Sequence, residues 1–171
     1  PRAIQGLRNL LVHPDAEVGI NIVLTRRNLN DLAAHVGFVA SLASDSRHRP
    51  SLFFTLMNEW GCRKAPALAV PVDHVRPFLD RAVVRCREAG LFVEPFSGHC
   101  APPLCAVCED RGLAQESPAP PGVARYVEDA AGLDPHDRVK PPRCRTCRLD
   151  ERCFGVTAAY GCYLASREIE G

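Results

Sequence analysis

Between residues 140 and 155 the chain reads KPPRCRTCRLDERCFG, which sets Cys144, Cys147 and Cys153 within ten positions. Two residues and then five separate these thiols. A turn aims the first pair at one point, and the third thiol can close the same face. Thiols at this density are an oxidation liability when nothing holds them. The run therefore reads as three ligands of one metal centre. Its fourth ligand must come from another segment, with Cys100, Cys105, Cys108 and Cys162 as candidates.

A disulfide framework explains the same run less well. Nine cysteines cannot all pair within the chain. Staples also serve small secreted domains that lack a core, whereas 171 residues at 46% hydrophobic supply one. Only Cys62 and Cys86 precede residue 97, so the composition divides the chain into an α/β region, 1–96, and a small cysteine-rich metal-binding region, 97–171. Cys62 and Cys86 read as small buried core residues. His99 has no second histidine at ligand spacing, which argues against a zinc site built on it.

Charge removes two classes of partner. With 21 basic and 20 acidic side chains the net charge is +1, so no overall field draws nucleic acid or an anionic membrane. No run approaches the roughly 18 apolar residues of a membrane span, and no secretory signal pattern opens the chain.

Region 1–96 alternates helix and strand signals. Ile4 to Val12 carries leucines and isoleucine at helical spacing and stops at His13-Pro14. VGINIVLT, residues 18–25, is rich in β-branched residues, the pattern of a strand buried on both faces of a parallel sheet. Asn28 or Asn30 is placed to cap a helix through DLAAHVGFVASLA. SLFFTLM, residues 51–57, is the second strand. VDHVRPFLDRAVVRCREAG follows as a helix, with Asp73 as N-cap, Pro77 in the first turn and Gly90 as C-terminal cap. LFVEPF is the third strand. Three such units imply parallel strands with right-handed crossovers. Three strands are an unfinished sheet, and the chain begins at Pro1 without methionine, so the expected α/β fold is half of a larger parallel sheet or barrel, read as a C-terminal fragment. Ligands of such sheets bind at the carboxyl ends of the strands. Asn21, Thr25 and Asn28, then Met57, Asn58 and Glu59, then Glu94 occupy those positions, although Asn28 also reads as a helix cap and Glu59 as a solvated loop charge.

Two metals compete for the cysteines. Cys105 with Cys108 and Cys144 with Cys147 form two C-x-x-C pairs, a zinc-ribbon arrangement that leaves Cys153 unused. An iron–sulfur cluster uses the whole C-x-x-C-x5-C run. Lys140, Arg143, Arg145, Arg148 and Arg152 offset the negative charge of either centre.

The succession GINIVLTRRNLNDL, SLFFTLMNEWG, FVEPFSGHCAPPLC and VKPPRCRTCRLDERCFGVTAAY resembles the C-terminal half of radical S-adenosylmethionine enzymes that carry an auxiliary iron–sulfur domain of the SPASM or Twitch kind. The resemblance implies the C-terminal half of a partial parallel (β/α) barrel and an auxiliary [4Fe-4S] cluster held by Cys105, within PPLC, together with Cys144, Cys147 and Cys153. It leaves Cys100, Cys108 and Cys162 as alternates. The family's C-x3-C-x2-C loop is absent, and Thr157 stands where a full SPASM pattern has its next cysteine. One auxiliary cluster is therefore expected here. S-adenosylmethionine and a second [4Fe-4S] cluster are expected in the intact cytoplasmic enzyme, whose 5′-deoxyadenosyl radical abstracts hydrogen from a small-molecule or peptide substrate. Its implied partners are the N-terminal half of the barrel and an electron donor. Asn21, Thr25 and Asn28 would then lie near the cofactor's ribose or methionyl part, and Met57 and Glu59 near adenine or substrate. The alternative is a non-catalytic zinc-ribbon binding module attached to an α/β domain.

Overall fold

The apolar runs of the first region pair edge to edge because each has β-branched or aromatic residues at alternate positions and a helix to cover them. The computed structural model describes residues 2–44, 46, 49–57, 65–96, 100–107, 124–126, 133–134 and 137–161, with backbone alone at 65, 66 and 124–126. Helix α1 (Arg2–Val12) leads to strand β1 (Gly19–Leu24), helix α2 (Leu32–Leu42), strand β2 (Ser51–Leu56), the short helix α3 (Ala65–Leu68), the long helix α4 (Val72–Glu88) and strand β3 (Phe92–Val93). The three strands lie in the order β1-β2-β3, all parallel. Gly19 faces Ser51 and Leu24 faces Leu56 across the first pair, whereas β3 reaches only the amino end of β2, with Phe92 beside Ser51.

One face of this sheet is covered and the other is open. Leu24, Leu52, Phe54, Leu56 and Val93 are buried in one cluster with Leu32, Val36 and Val39 of α2 and Val75, Leu79, Val83 and Cys86 of α4. On the opposite face Gly19, Asn21 and Val23 are exposed, as are Phe53 at 39% and Phe92 at 61%. The expectation that residues 18–25 are buried on both faces is therefore wrong in this chain. The strand alternates, since both crossover helices pack on one side.

The helix ends also depart from expectation. Asn28 is not the cap of α2. Its Oδ1 accepts from the Thr25 N–H at 2.9 Å and the Thr25 hydroxyl at 3.0 Å, while its Nδ2 donates to the Val23 carbonyl. Neither is Asn30; Asp31 occupies the N-cap without a side-chain bond. In α4 the N-cap is Pro71, so Asp73 falls in the first turn and Pro77 in the second. At the other end Gly90, with φ +66°, ends the helix as expected. Its N–H donates to the Arg87 carbonyl and that of Leu91 to Cys86, a full Schellman arrangement.

Beyond residue 96 a second small sheet forms, with β4 (Ala124–Tyr126) parallel to β5 (Arg138–Lys140), and β6 (Val156–Thr157) antiparallel to β5. Its apolar side joins the same core. Ala106, Val107, Val139, Val156, Ala158 and Tyr160 belong to the cluster that contains α4 and the parallel sheet. The Leu56 N–H, at the carboxyl end of β2, donates to the Cys100 carbonyl at 2.8 Å. The buried Tyr160 hydroxyl donates to the Val70 carbonyl just before α4. The cysteine-bearing segments are thus anchored at the carboxyl end of β2 and the start of α4. Among the described residues, no helix is long and apolar enough to cross a membrane.

Candidate metal centre

Proline decides the local path of both cysteine segments. Pro103 holds an extended conformation and is followed by the 3-10 turn Leu104–Ala106, which carries Cys105. Pro141 is likewise extended and precedes the 3-10 turn Pro142–Thr146, which carries Cys144. The next thiols follow from consecutive tight turns. The Cys147 N–H donates to the Cys144 carbonyl at 3.0 Å, Asp150 to Cys147 at 3.0 Å, and Cys153 to Asp150 at 3.2 Å. Each turn reverses the chain enough to bring its cysteine back to one place.

That place is a cavity of about 40 Å³ lined by Cys105, Cys144, Cys147 and Cys153. Val72, Pro103, Pro141, Leu149 and Val156 supply its apolar wall. Two sulfurs also receive backbone hydrogen bonds from two residues on. Leu149 N–H points at Cys147 Sγ at 3.5 Å, and Gly155 N–H at Cys153 Sγ at 3.4 Å. Hydrogen bonds to sulfur are among the features by which a protein tunes a sulfur-ligated centre.

Two of the thiols, Cys105 and Cys144, are held in the neutral form mainly by burial. Burial pushes the Cys105 thiol up to about 11, and Cys153, Cys144 and Cys147 add to the shift while Arg143 opposes it. Cys105 keeps an open flank to solvent, yet the atoms around its sulfur are close enough to desolvate it. Burial also raises Cys144, with Cys153 contributing and Arg143 opposing. Four thiols that repel one another as thiolates become a stable donor set when a cation lies among them. The Arg138 guanidinium is pulled down by burial, against the attraction of Cys100 and Cys153, and it donates to the Gly155 carbonyl at 3.3 Å. Among the described residues, no group of three or more His, Cys, Asp or Glu side chains is set to hold a metal ion.

The alternates fall elsewhere. Cys100 is half-buried and is not part of the cavity wall; its carbonyl serves β2. Cys108 and Cys162 lie outside the described residues, as do Asn58, Glu59, Cys62 and His99. Cys86 is in the core as expected, and burial pushes its thiol up to about 11.

The strand-end residues do not form one cluster. Thr25 and Asn28 bind each other in the loop after β1. Leu24 pairs with Leu56, so Thr25 and Met57 leave their strands side by side. Asn21 is at mid-strand on the open face, where its Oδ1 accepts from the Thr55 hydroxyl at 3.0 Å. Glu94 is not at the carboxyl end of the sheet, because β3 pairs with the start of β2; it lines a groove with Gly19, Arg49 and Phe92. Sequence reasoning grouped Lys140 with the arginines as a general charge offset, and it missed that Lys140 is buried in the cavity wall. It also gave no role to Gly155 or Tyr160. No family model, curated protein or solved structure matches the chain.

Proposed function

We propose that Cys105, Cys144, Cys147 and Cys153 hold a [4Fe-4S] cluster, and that the chain is the C-terminal part of a radical S-adenosylmethionine enzyme. The observation that carries this reading is the convergence of four thiols, from two distant segments, on one small cavity. The donor set fits the group. It is all sulfur, two of the sulfurs accept backbone N–H bonds, and cationic side chains stand close by. A cluster spreads its four thiolates around a core of several iron atoms, whereas zinc draws them to about 2.3 Å from a single point. Use of all four cavity thiols, Cys153 included, favours the former. The presence of Cys153 in the cavity wall also weighs against a ribbon built from two C-x-x-C pairs, which would leave that residue idle.

Once bound, the cluster supplies one-electron chemistry. This chain's residues then shield it: prolines and Val72 keep water from its apolar side, and the N–H donors of Leu149 and Gly155 steady the sulfurs. The open face of the parallel sheet supports the half-barrel part of the reading. A barrel wall has helices outside and an inner face that meets the rest of the barrel, and Asn21, Val23, Phe53, Thr55 and Phe92 form such a face here. S-adenosylmethionine and the second cluster belong to the other half of the enzyme, which makes Asn21, Thr25, Asn28, Met57 and Glu59 proposed contacts only in that assembly.

Purification without oxygen followed by iron, sulfide and zinc analysis tests the reading. The expected result is a brown protein with about four irons and matching sulfide per chain. Colourless protein with one zinc would replace the cluster with a structural zinc site and favour the non-catalytic binding module.

A further inference from the structure

Among the described residues, Lys140 is the one charged side chain in the buried class, at 8% exposure. It ends β5, and its Nζ lies 3.0 Å from Asp150 Oδ1 while donating to the Asp150 carbonyl. Asp150 itself sits midway between Cys147 and Cys153, and both members of the pair line the thiol cavity. A buried lysine on an apolar wall is costly to keep charged. A simple loop clamp could have been made from neutral groups.

We infer that the Lys140–Asp150 ion pair sets the electron affinity of the iron–sulfur centre, the two residues acting with opposite sign. This rests on the cluster reading above. Taking up one electron makes the centre more negative. A cation in a poorly solvated wall favours that reduced form, and a carboxylate disfavours it, because charges there are screened far less than at the surface. Net charge and hydrogen bonds near the sulfurs are among the determinants of cluster potential. Both members of the pair line the cavity that the four thiols share. The other nearby charges are Arg143, Arg145, Arg148, Glu151 and Arg152, all exposed on the cysteine-bearing turns, and Arg138, which donates to the Gly155 carbonyl. Water screens those exposed groups, whereas Lys140 is buried in the cavity wall and bonded to the turn between Cys147 and Cys153.

The opposite signs separate tuning from clamping. Loss of either partner loosens the same loop, so stability falls in both variants, but the potentials must move apart. The test is a redox titration of the full chain loaded anaerobically with iron and sulfide, with dithionite as the one-electron donor and mediators present. Absorbance and the paramagnetic signal of the reduced cluster are followed. K140M should shift the midpoint to more negative values and D150N to more positive values. The double variant K140M/D150L should return close to the parent. If K140M does not fold, D150N carries the sign alone, because its amide is isosteric and the backbone contact to Lys140 remains. Unmoved midpoints, or movement of both single variants in one direction, overturn the tuning role while the cluster stands. Parent protein that takes up no iron and sulfide overturns the cluster reading and the tuning role together.

Discussion

At Gly155 the backbone adopts φ +71°, and a Cβ would come 2.1 Å from the Val139 carbonyl oxygen. Only glycine lets the chain pass β5 this closely after Cys153 and still aim its N–H at that sulfur. Gly155→Ala should cost about 1–2 kcal/mol for the left-handed backbone alone, with a further loss from the displaced strand. Thermal melting and iron content measured together should both fall. Cysteine substitutions divide similarly. Cys105→Ser, Cys144→Ser, Cys147→Ser and Cys153→Ser should each reduce iron retention, whereas Cys100→Ser should leave it near the parent level, because Cys100 contributes a backbone carbonyl and no wall atom to the cavity. Cys86 gives a pH dependence. Its folded-state thiol is raised by burial to about 11 from an ordinary 9. The unfolded chain therefore loses this proton first as pH rises, and stability falls between those two values. Urea melts of the parent and Cys86→Ala across that range should show a shallower decline in the variant. Three of the four cavity thiols were legible from their spacing, since consecutive turns are a local property. Cys105 was reached only through a family resemblance, and the partner of Gly155 could not be read at all, because a contact with Val139 depends on how the strands cross.

Among the elements, α4 was legible by its apolar period, and its buried Val75, Leu79, Ala82, Val83 and Cys86 follow that stripe. Its start was misplaced because an acidic residue in the first turn and an acidic N-cap leave similar marks in a sequence. The consequence falls on Pro77, which sits in the second turn. There it lacks the N–H that would bond the Asp73 carbonyl, and its ring crowds that carbonyl. Pro77→Ala should raise stability by about 1–2 kcal/mol after the loss of proline's restraint on the unfolded chain. A denaturant midpoint that falls instead would show that the proline's packing outweighs the missing bond. Gly90→Ala at the other end should lower stability by a similar ~1–2 kcal/mol, through its positive φ. Strand β1 shows a different limit. A β-branched run has the same sequence pattern when both faces are covered and when one face waits for a partner, so its open side was visible only once both helices were placed on the other side.

For the whole molecule, the open face of the sheet is the feature with the largest consequence. Leu10 and Val12 of α1 are exposed at 54% and 70%, and Phe53, Phe92 and Val23 are exposed on the sheet. Apolar surface gathered on the open sheet face marks a site of association, and the outer edge of a parallel strand adds N–H and C=O groups to the attraction. If the sheet is a barrel wall, its natural cover is further parallel strands. In their absence, copies of the chain should cover one another. Sedimentation velocity at rising concentration should therefore show self-association of the isolated 171-residue chain. Burying a phenylalanine side chain contributes about 1.5–3 kcal/mol, so the double substitution Phe53→Lys and Phe92→Lys should weaken association by roughly a hundredfold or more. Iron content should be unchanged, because both side chains lie away from the thiol cavity. A monodisperse monomer that binds no hydrophobic dye would mean that the sheet needs no cover, and the half-barrel reading would fall while the metal centre stood.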